Sequence, residues 1–152
     1  MSSLKQRDIQ PSGTTIVVEP AALETLRAHA AEGYPHEVVG ILAGDRGQGL
    51  VSRCEALKNE RATNAERRYK VNGLMLMKAE QRLEAAGLEI IGYYHSHPDH
   101  PAMYSDTDRD LALPNMSYVI ASVTAAGVGD IKSWRLRDDR EEMELEQLVS
   151  AP

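Results

Sequence analysis

The stretch Glu89–His95, Glu-Ile-Ile-Gly-Tyr-Tyr-His, constrains the fold more than any other part of the chain. Alternate residues of a strand point to opposite faces. A strand apolar on both faces must enter the middle of a sheet with a layer on each side. The rest of the chain supplies such layers. Thr14–Val18 is β-branched and reads as a strand. Ala21–Glu32 reads as a helix, with Pro20 suited to its first turn and Gly33 ending it. Glu37–Gly44 (Glu-Val-Val-Gly-Ile-Leu-Ala-Gly) reads as a buried strand closed by the turn Gly44–Gly47, and Leu50–Leu57 as its partner.

Further along, Asn72 is a candidate N-cap for a helix carrying Leu74, Met77, Leu83 and Ala86 at helical spacing, stopped by Gly87. Ser117–Val123 and Asp130–Arg137 read as strands. Glu141–Val149 alternates Met143 and Leu145 with acids, which reads as an edge strand, with a helix as the alternative. Lys58–Lys70 is polar and mixed in charge, an exposed loop or flap longer than connectors usually are. No repeat or interdomain linker interrupts this order, so the chain of 152 residues divides into a loose polar leader over 1–13, one domain over 14–149 and a short tail over 150–152.

Composition narrows the class. The chain holds six Tyr, one Trp and no Phe, so its core rests on Val, Ile, Leu, Met and Ala. Its one cysteine, Cys54, excludes an internal disulfide framework and any multi-cysteine zinc site. The reading is a reducing compartment or indifference to redox. The net charge is −6. Six acids against one base between Asp138 and Glu146 give that stretch −5, and the remainder is close to neutral. No basic face for nucleic acid is evident. No apolar run is long enough to cross a membrane, and Met1–Gly13 lacks the apolar stretch of a signal peptide. The default expectation is a cytoplasmic protein with neither nucleic acid nor membrane as partner.

Chemistry concentrates between His95 and Asp108. On a strand, His95 and His97 lie two apart and face the same side, so their imidazoles can converge on one ion at zinc–nitrogen distances of about 2.0–2.1 Å. Pro98 fixes the chain direction just after them. Asp108, eleven residues beyond His97, offers a carboxylate as third ligand, which leaves a zinc position open for water, as hydrolysis needs. Two plainer readings compete. A His-x-His pair is common on solvated turns, and Ser105-Asp-Thr-Asp108 has the shape of a capping box, in which Asp108 would serve only backbone donors. His36, Asp99, His100 and Asp106 lie nearby at less regular spacing and read as loop residues. A His-Glu-x-x-His zincin motif is absent, and the Pro-Cys-x-x-Cys of a zinc nucleoside deaminase of the usual form cannot be made with one cysteine.

These residues together resemble the signature of the JAMM (MPN+) metallopeptidases: a remote Glu, His-Ser/Thr-His-Pro, then Ser and Asp at fixed spacing. Here it stands as Glu37, His95-Ser96-His97-Pro98, Ser105 with seven residues between it and His97, and Asp108. Glu37 opens an apolar strand ending in Gly44, and Ser133-Trp-Arg-Leu136 sits in a late strand, as in that family. The resemblance covers about residues 14–149. It implies an α/β fold, a single MPN (JAB, cytidine-deaminase-like) domain whose mixed curved sheet is flanked by helices. It also implies Zn2+ held by His95, His97 and Asp108. Glu37 would take a proton from the zinc-bound water and pass it to the leaving amine, and the Ser105 hydroxyl would donate to the oxyanion. Desolvation at the head of an apolar strand would raise the Glu37 carboxyl towards a useful value; a strand-end salt-bridge partner is the plainer role for it.

JAMM enzymes hydrolyse amide or isopeptide bonds at the C-terminus of ubiquitin-like modifiers. Only Arg109–Met116 separate Asp108 from the next strand, so the second insertion of deubiquitinating members is missing. The compact form is similar to prokaryotic single-domain members associated with ubiquitin-like sulfur-carrier proteins, which release cysteine from a C-terminal Gly-Gly tail or trim that tail. The tail would lie extended beside a sheet edge, under a flap whose Arg67 and Arg68 contact the carrier. The alternatives are a small-peptide or cell-wall peptidase, a deubiquitinase-like isopeptidase, and a non-catalytic MPN binding module. A homodimer built on the acidic final strand and the Met-rich helix is a further expectation.

Overall fold

The computed structural model describes residues 8–58 and 73–152. Its elements run β1 (Pro11–Val18), α1 (Pro20–Gly33), β2 (Val39–Asp45), a 3-10 turn (Arg46–Gln48), β3 (Leu50–Leu57), α2 (Gly73–Ala85), β4 (Glu89–Pro98), α3 (Asp106–Leu111), β5 (Ser117–Thr124), β6 (Gly127–Leu136) and β7 (Met143–Ser150). The flap expected over Lys58–Lys70, its Arg67 and Arg68, and the Asn72 cap fall outside the described residues, save Lys58 itself.

β4 takes the position that its apolar faces require. It pairs antiparallel with β2, with Val39 opposite His95, and parallel with β5, with His95 opposite Ile120. The sheet continues in the order β1-β3-β2-β4-β5-β6-β7 and closes into a barrel through the parallel β1–β7 ladder. The expected mixed, curved sheet is therefore present, with its curvature carried to closure.

Strand alternation sorts the layers. Ala22, Leu26 and Ala30 of α1 pack with Leu42, Tyr94, Val119 and Ala121 on one face. Ile41 and Ala43 turn the other way and pack with Ala79 and Leu83 of α2. Next to α2 on that second face, the β4–β5 connection lays Ala102, Tyr104 and Ala112 over Ile120, Trp134 and Leu136. Tyr94 is fully buried because Gly40 makes room for it: a Cβ at Gly40 would stand 2.1 Å from the ring. Its hydroxyl is hydrogen-bonded to His29 Nδ1 at 2.7 Å, which ties β4 to α1. The expected helix stop after α2 is a Schellman turn, with Gly87 at φ +85° and the Leu88 amide donating to the Leu83 carbonyl at 3.0 Å.

The last segment differs from expectation. It is a strand, but not an edge: β7 is paired with β6 on one side and with β1 on the other. The reason lies in one acid of the charged run. Glu146 is 2% exposed, and its carboxylate accepts hydrogen bonds from Ser117 Oγ (2.6 Å), Ser133 Oγ (2.8 Å) and Thr14 Oγ1 (2.7 Å). Arg135 stands 3.5 Å away. Thus an acid that read as solvent-facing is an interior partner of three elements, β1, β5 and β6. Elsewhere in the run Arg137 pairs with Asp139 at 2.8 Å and with Glu142 at 3.4 Å, so much of the local charge is answered locally. β7 is paired with β6 over Met143–Glu146 and with β1 over Leu145–Ser150, and Met75 and Met77 of α2 are exposed. β1 likewise starts earlier than expected, at Pro11 rather than Thr14, and the Leu145 amide reaches the Gln10 carbonyl at 2.9 Å.

Removing one partner from a buried, hydrogen-bonded ion pair leaves the rest unsatisfied. Glu146→Ala is therefore expected to lower stability by about 3 kcal/mol, read from the midpoint of urea unfolding. A change below about 0.5 kcal/mol would show that Glu146 does not hold the closure.

Candidate metal centre

His95 and His97 project from the second face of β4, the face that α2 and the β4–β5 connection cover. Their Nε2 atoms lie 3.2 Å apart. Asp108 completes a triangle, its Oδ1 3.3 Å from His95 Nε2 and its Oδ2 3.4 Å from His97 Nε2. Among the described residues this trio is the group of His, Cys, Asp and Glu side chains arranged to hold an ion. The separations carry chemical meaning. A tetrahedral ion with bonds of about 2.0–2.1 Å sets its ligand atoms about 3.3 Å apart. The Nε2–Nε2 separation and the distance from each ring to its nearer Asp108 oxygen match that spacing.

Neighbours orient the donors. His97 Nδ1 lies 3.0 Å from the Pro101 carbonyl. A carbonyl only accepts, so Nδ1 carries the proton, and the neutral ring presents its Nε2 lone pair to the centre. Asp108 is the third residue of α3, and Ser105 is its N-cap. The capping box is complete: the Asp108 amide donates to Ser105 Oγ at 3.1 Å, and the Ser105 amide donates to Asp108 Oδ2 at 2.9 Å. The two readings of Asp108 are thus compatible, since one carboxylate has lone pairs enough for the cap and the centre. Among the described residues no acceptor takes the Ser105 hydroxyl proton. Trp134 holds the loop before α3, its Nε1 donating to the Ala102 carbonyl at 3.0 Å.

Electrostatics follow from this crowding. Burial alone would raise the Asp108 carboxyl, but hydrogen bonds from His95 and His97, with the Ser105 amide, hold it far below the usual carboxylate range. Burial opposes charge on His97, yet Asp108, the Pro101 carbonyl and the more distant Glu37 together raise its pKa.

Glu37 sits differently from expectation. It does not open β2, which begins at Val39, but lies half-buried two residues ahead of it. The β2–β4 ladder ends with Val39 opposite His95, so Glu37 lies just beyond it, near enough for its charge to raise the His97 imidazole. His36, Asp99, His100 and Asp106 stand outside the ligand triangle, with Asp99 accepting from Tyr34 Oη at 2.9 Å. Cys54 is buried, which pushes its thiol up to about 12 and leaves it inert as a nucleophile.

Residues 19–137 match the family described as prokaryotic homologs of the JAB domain. The chain belongs to this family. A desampylase from Haloferax volcanii is 33% identical over 106 residues, which cover 66% of this chain and 76% of that protein. A probable TtuB-protein conjugate cleaving protease from Thermus thermophilus is 37% identical over 108 residues, covering 71% of this chain and 70% of that one. Among solved structures, a protein from Salinibacter ruber is 34% identical with a TM-score of 0.70, covering 90% of this chain and 92% of the other. A JAB1/MPN domain protein from Archaeoglobus fulgidus shares the fold at 16% identity and a TM-score of 0.59, covering 90% of this chain and all of its own. The family is that of the JAMM-type peptidases, and this member is one of them.

The shifts give the pH dependence of the metal-free protein. The raised His97 contributes stability that is complete below about pH 6.5 and is lost as pH rises through its folded value. The depressed Asp108 contributes stability that is complete above about pH 4 and is lost as pH falls. A bound cation displaces the His97 proton. Zinc affinity, measured by competition with a chromophoric chelator, is therefore expected to rise between about pH 6 and pH 8. Asp108→Ala is expected to weaken it by at least about 100-fold. An affinity flat in pH, or kept by that variant, would place the ion elsewhere.

Proposed function

We propose that this protein is a zinc-dependent peptidase that hydrolyses the amide or isopeptide bond after the C-terminal Gly-Gly of a ubiquitin-like sulfur-carrier protein. The observation that carries the reading is the convergence of His95 Nε2, His97 Nε2 and the Asp108 carboxylate at ligand spacing, with Glu37 just beyond the end of the β2–β4 ladder. The names of the Haloferax and Thermus relatives, one a cleaver of TtuB–protein conjugates, support a protein-conjugate substrate. A zinc ion held by His95, His97 and Asp108 would supply Lewis acidity and lower the pKa of water to about 7.

The chain's own residues do the rest. Glu37 accepts a proton as water attacks the scissile carbonyl, and a carbon–oxygen bond forms. The carbon–nitrogen bond then breaks, and the same carboxyl returns the proton to the leaving amine. The Ser105 hydroxyl, whose oxygen already accepts from the Asp108 amide, directs its proton to the developing oxyanion. Because Ser105 is the N-cap of the helix that carries Asp108, oxyanion donor and ligand move as one unit. The short passage from Asp108 to β5, with α3 only six residues long, fits a substrate approached without a second insertion.

The test is the intact mass of a carrier ending in Gly-Gly-Cys, and of a carrier–protein conjugate, mixed with purified protein. Loss of one cysteine residue, or release of the conjugated protein, is expected, and a zinc chelator should stop either. Glu37→Gln should cut kcat by about 100- to 10,000-fold with metal retained, and Ser105→Ala by about 100- to 1,000-fold. Cleavage of free dipeptides without any carrier would move the assignment to a small-peptide enzyme. Bound zinc with no cleavage, and no effect of Glu37→Gln beyond stability, would overturn the catalytic reading.

A further inference from the structure

Ser96, between the two histidines, points away from the centre and touches no ligand, yet it is fully buried. Its partner is the backbone of Val38, the residue after Glu37. The Ser96 amide donates to the Val38 carbonyl at 3.1 Å, as an antiparallel ladder requires. The reciprocal bond of a regular ladder would run from the Val38 amide to the Ser96 carbonyl. Instead the Val38 amide donates to Ser96 Oγ at 2.9 Å. A side-chain oxygen thus stands in for a main-chain one at the point where the chain leaves β2. Both polar backbone groups of Val38 are held by Ser96, and the segment bearing Glu37 peels from β4 there instead of continuing the ladder past His97. A second tie flanks the same segment: Tyr34 Oη donates to the Asp99 carboxylate at 2.9 and 3.0 Å. Tyr34 precedes Glu37 by three residues, and Asp99 follows His97 by two.

We propose that Ser96 is a positioning residue: its hydroxyl sets the distance and direction from which Glu37 addresses the centre, with the Tyr34–Asp99 bond as the outer anchor. The inference rests on the proposed role of Glu37. Ser96 acts through the backbone and makes no contact with substrate. An alanine leaves the Val38 amide unsatisfied in a dry setting, and the Glu37 segment relaxes. A threonine keeps the oxygen.

The experiment compares Ser96→Ala, Ser96→Thr and Tyr34→Phe with wild type, singly and in a Glu37→Gln background, using the full chain. Ser96→Ala is expected to lower kcat about 10- to 100-fold, the scale on which misplacing a catalytic group acts, with KM and zinc stoichiometry unchanged. Ser96→Thr should restore most of the rate. Tyr34→Phe, which alters a rim residue, should cost a few-fold. In the Glu37→Gln background Ser96→Ala should add no further loss. Amide hydrogen exchange of the zinc-free protein gives a readout independent of activity: the Val38 amide should exchange at least ten-fold faster in Ser96→Ala, with the barrel amides unchanged. A Val38 amide as protected as in wild type, or an equal loss with and without Glu37, would overturn the positioning role. Faster exchange in Ser96→Ala with Glu37→Gln as active as wild type would keep the backbone clamp and refute the role of Glu37, so the two failures are told apart.

Discussion

The pairing of β4 with β2 on one side and β5 on the other is the constraint on which the molecule turns. It places two histidines on one face, leaves Glu37 just beyond the end of the β2–β4 ladder, and commits the face opposite to α1. Because β4 and β5 are parallel, a crossover must join them, and that crossover is the segment that brings Ser105 and Asp108 back over the histidines. The centre is therefore a product of strand direction. An antiparallel β5 would allow a short hairpin, and Asp108 would have no path to His95.

The helix cap and the ligand set share one carboxylate. Asp108 satisfies the Ser105 amide and faces both imidazoles, so ordering α3 and assembling the centre are one event. An ion bound there would stabilise the fold by mass action, and α3 would then draw stability from the metal as well as from its own six residues. Trp134 extends this coupling into the barrel by holding the Ala102 carbonyl from β6.

Much of this was legible in the sequence, for physical reasons that differ by residue. The strands over 39–57 and 89–98 announced themselves through uncharged runs bounded by glycine turns, and His95, His97 and Asp108 through spacing that a strand and a cap both respect. The role of Ser96 gave no such signal, since a serine between two histidines looks the same whether it faces water or a neighbouring amide. Closure was hidden for a related reason. Alternation of Met143 and Leu145 with acids is the pattern of a half-exposed strand, and it cannot show that one acid, Glu146, meets Thr14, Ser117 and Ser133 inside. Partners 13 to 132 residues away leave no local trace. The start of β2 was misplaced by two residues because Glu37 and Val38 are continuous with an apolar run and leave the ladder only through a side-chain bond.

Closure through β1 and β7 also governs how the chain can be made. Thr15 and Gln147, neighbours in the final ladder, are separated by 132 positions. On a ribosome that adds residues from the N-terminus, β1 emerges first and can pair early with β3, but it must wait for nearly the whole domain before β7 appears. Until then Thr14 and Ser117 have no carboxylate to meet, and the β1 edge offers unpaired amides to any other nascent chain. Such long-range pairing makes for slow, late-committing folding. A chain cut short before Glu146 loses the barrel, and with it the frame that aligns β4 and β5, even though every ligand has already been synthesised.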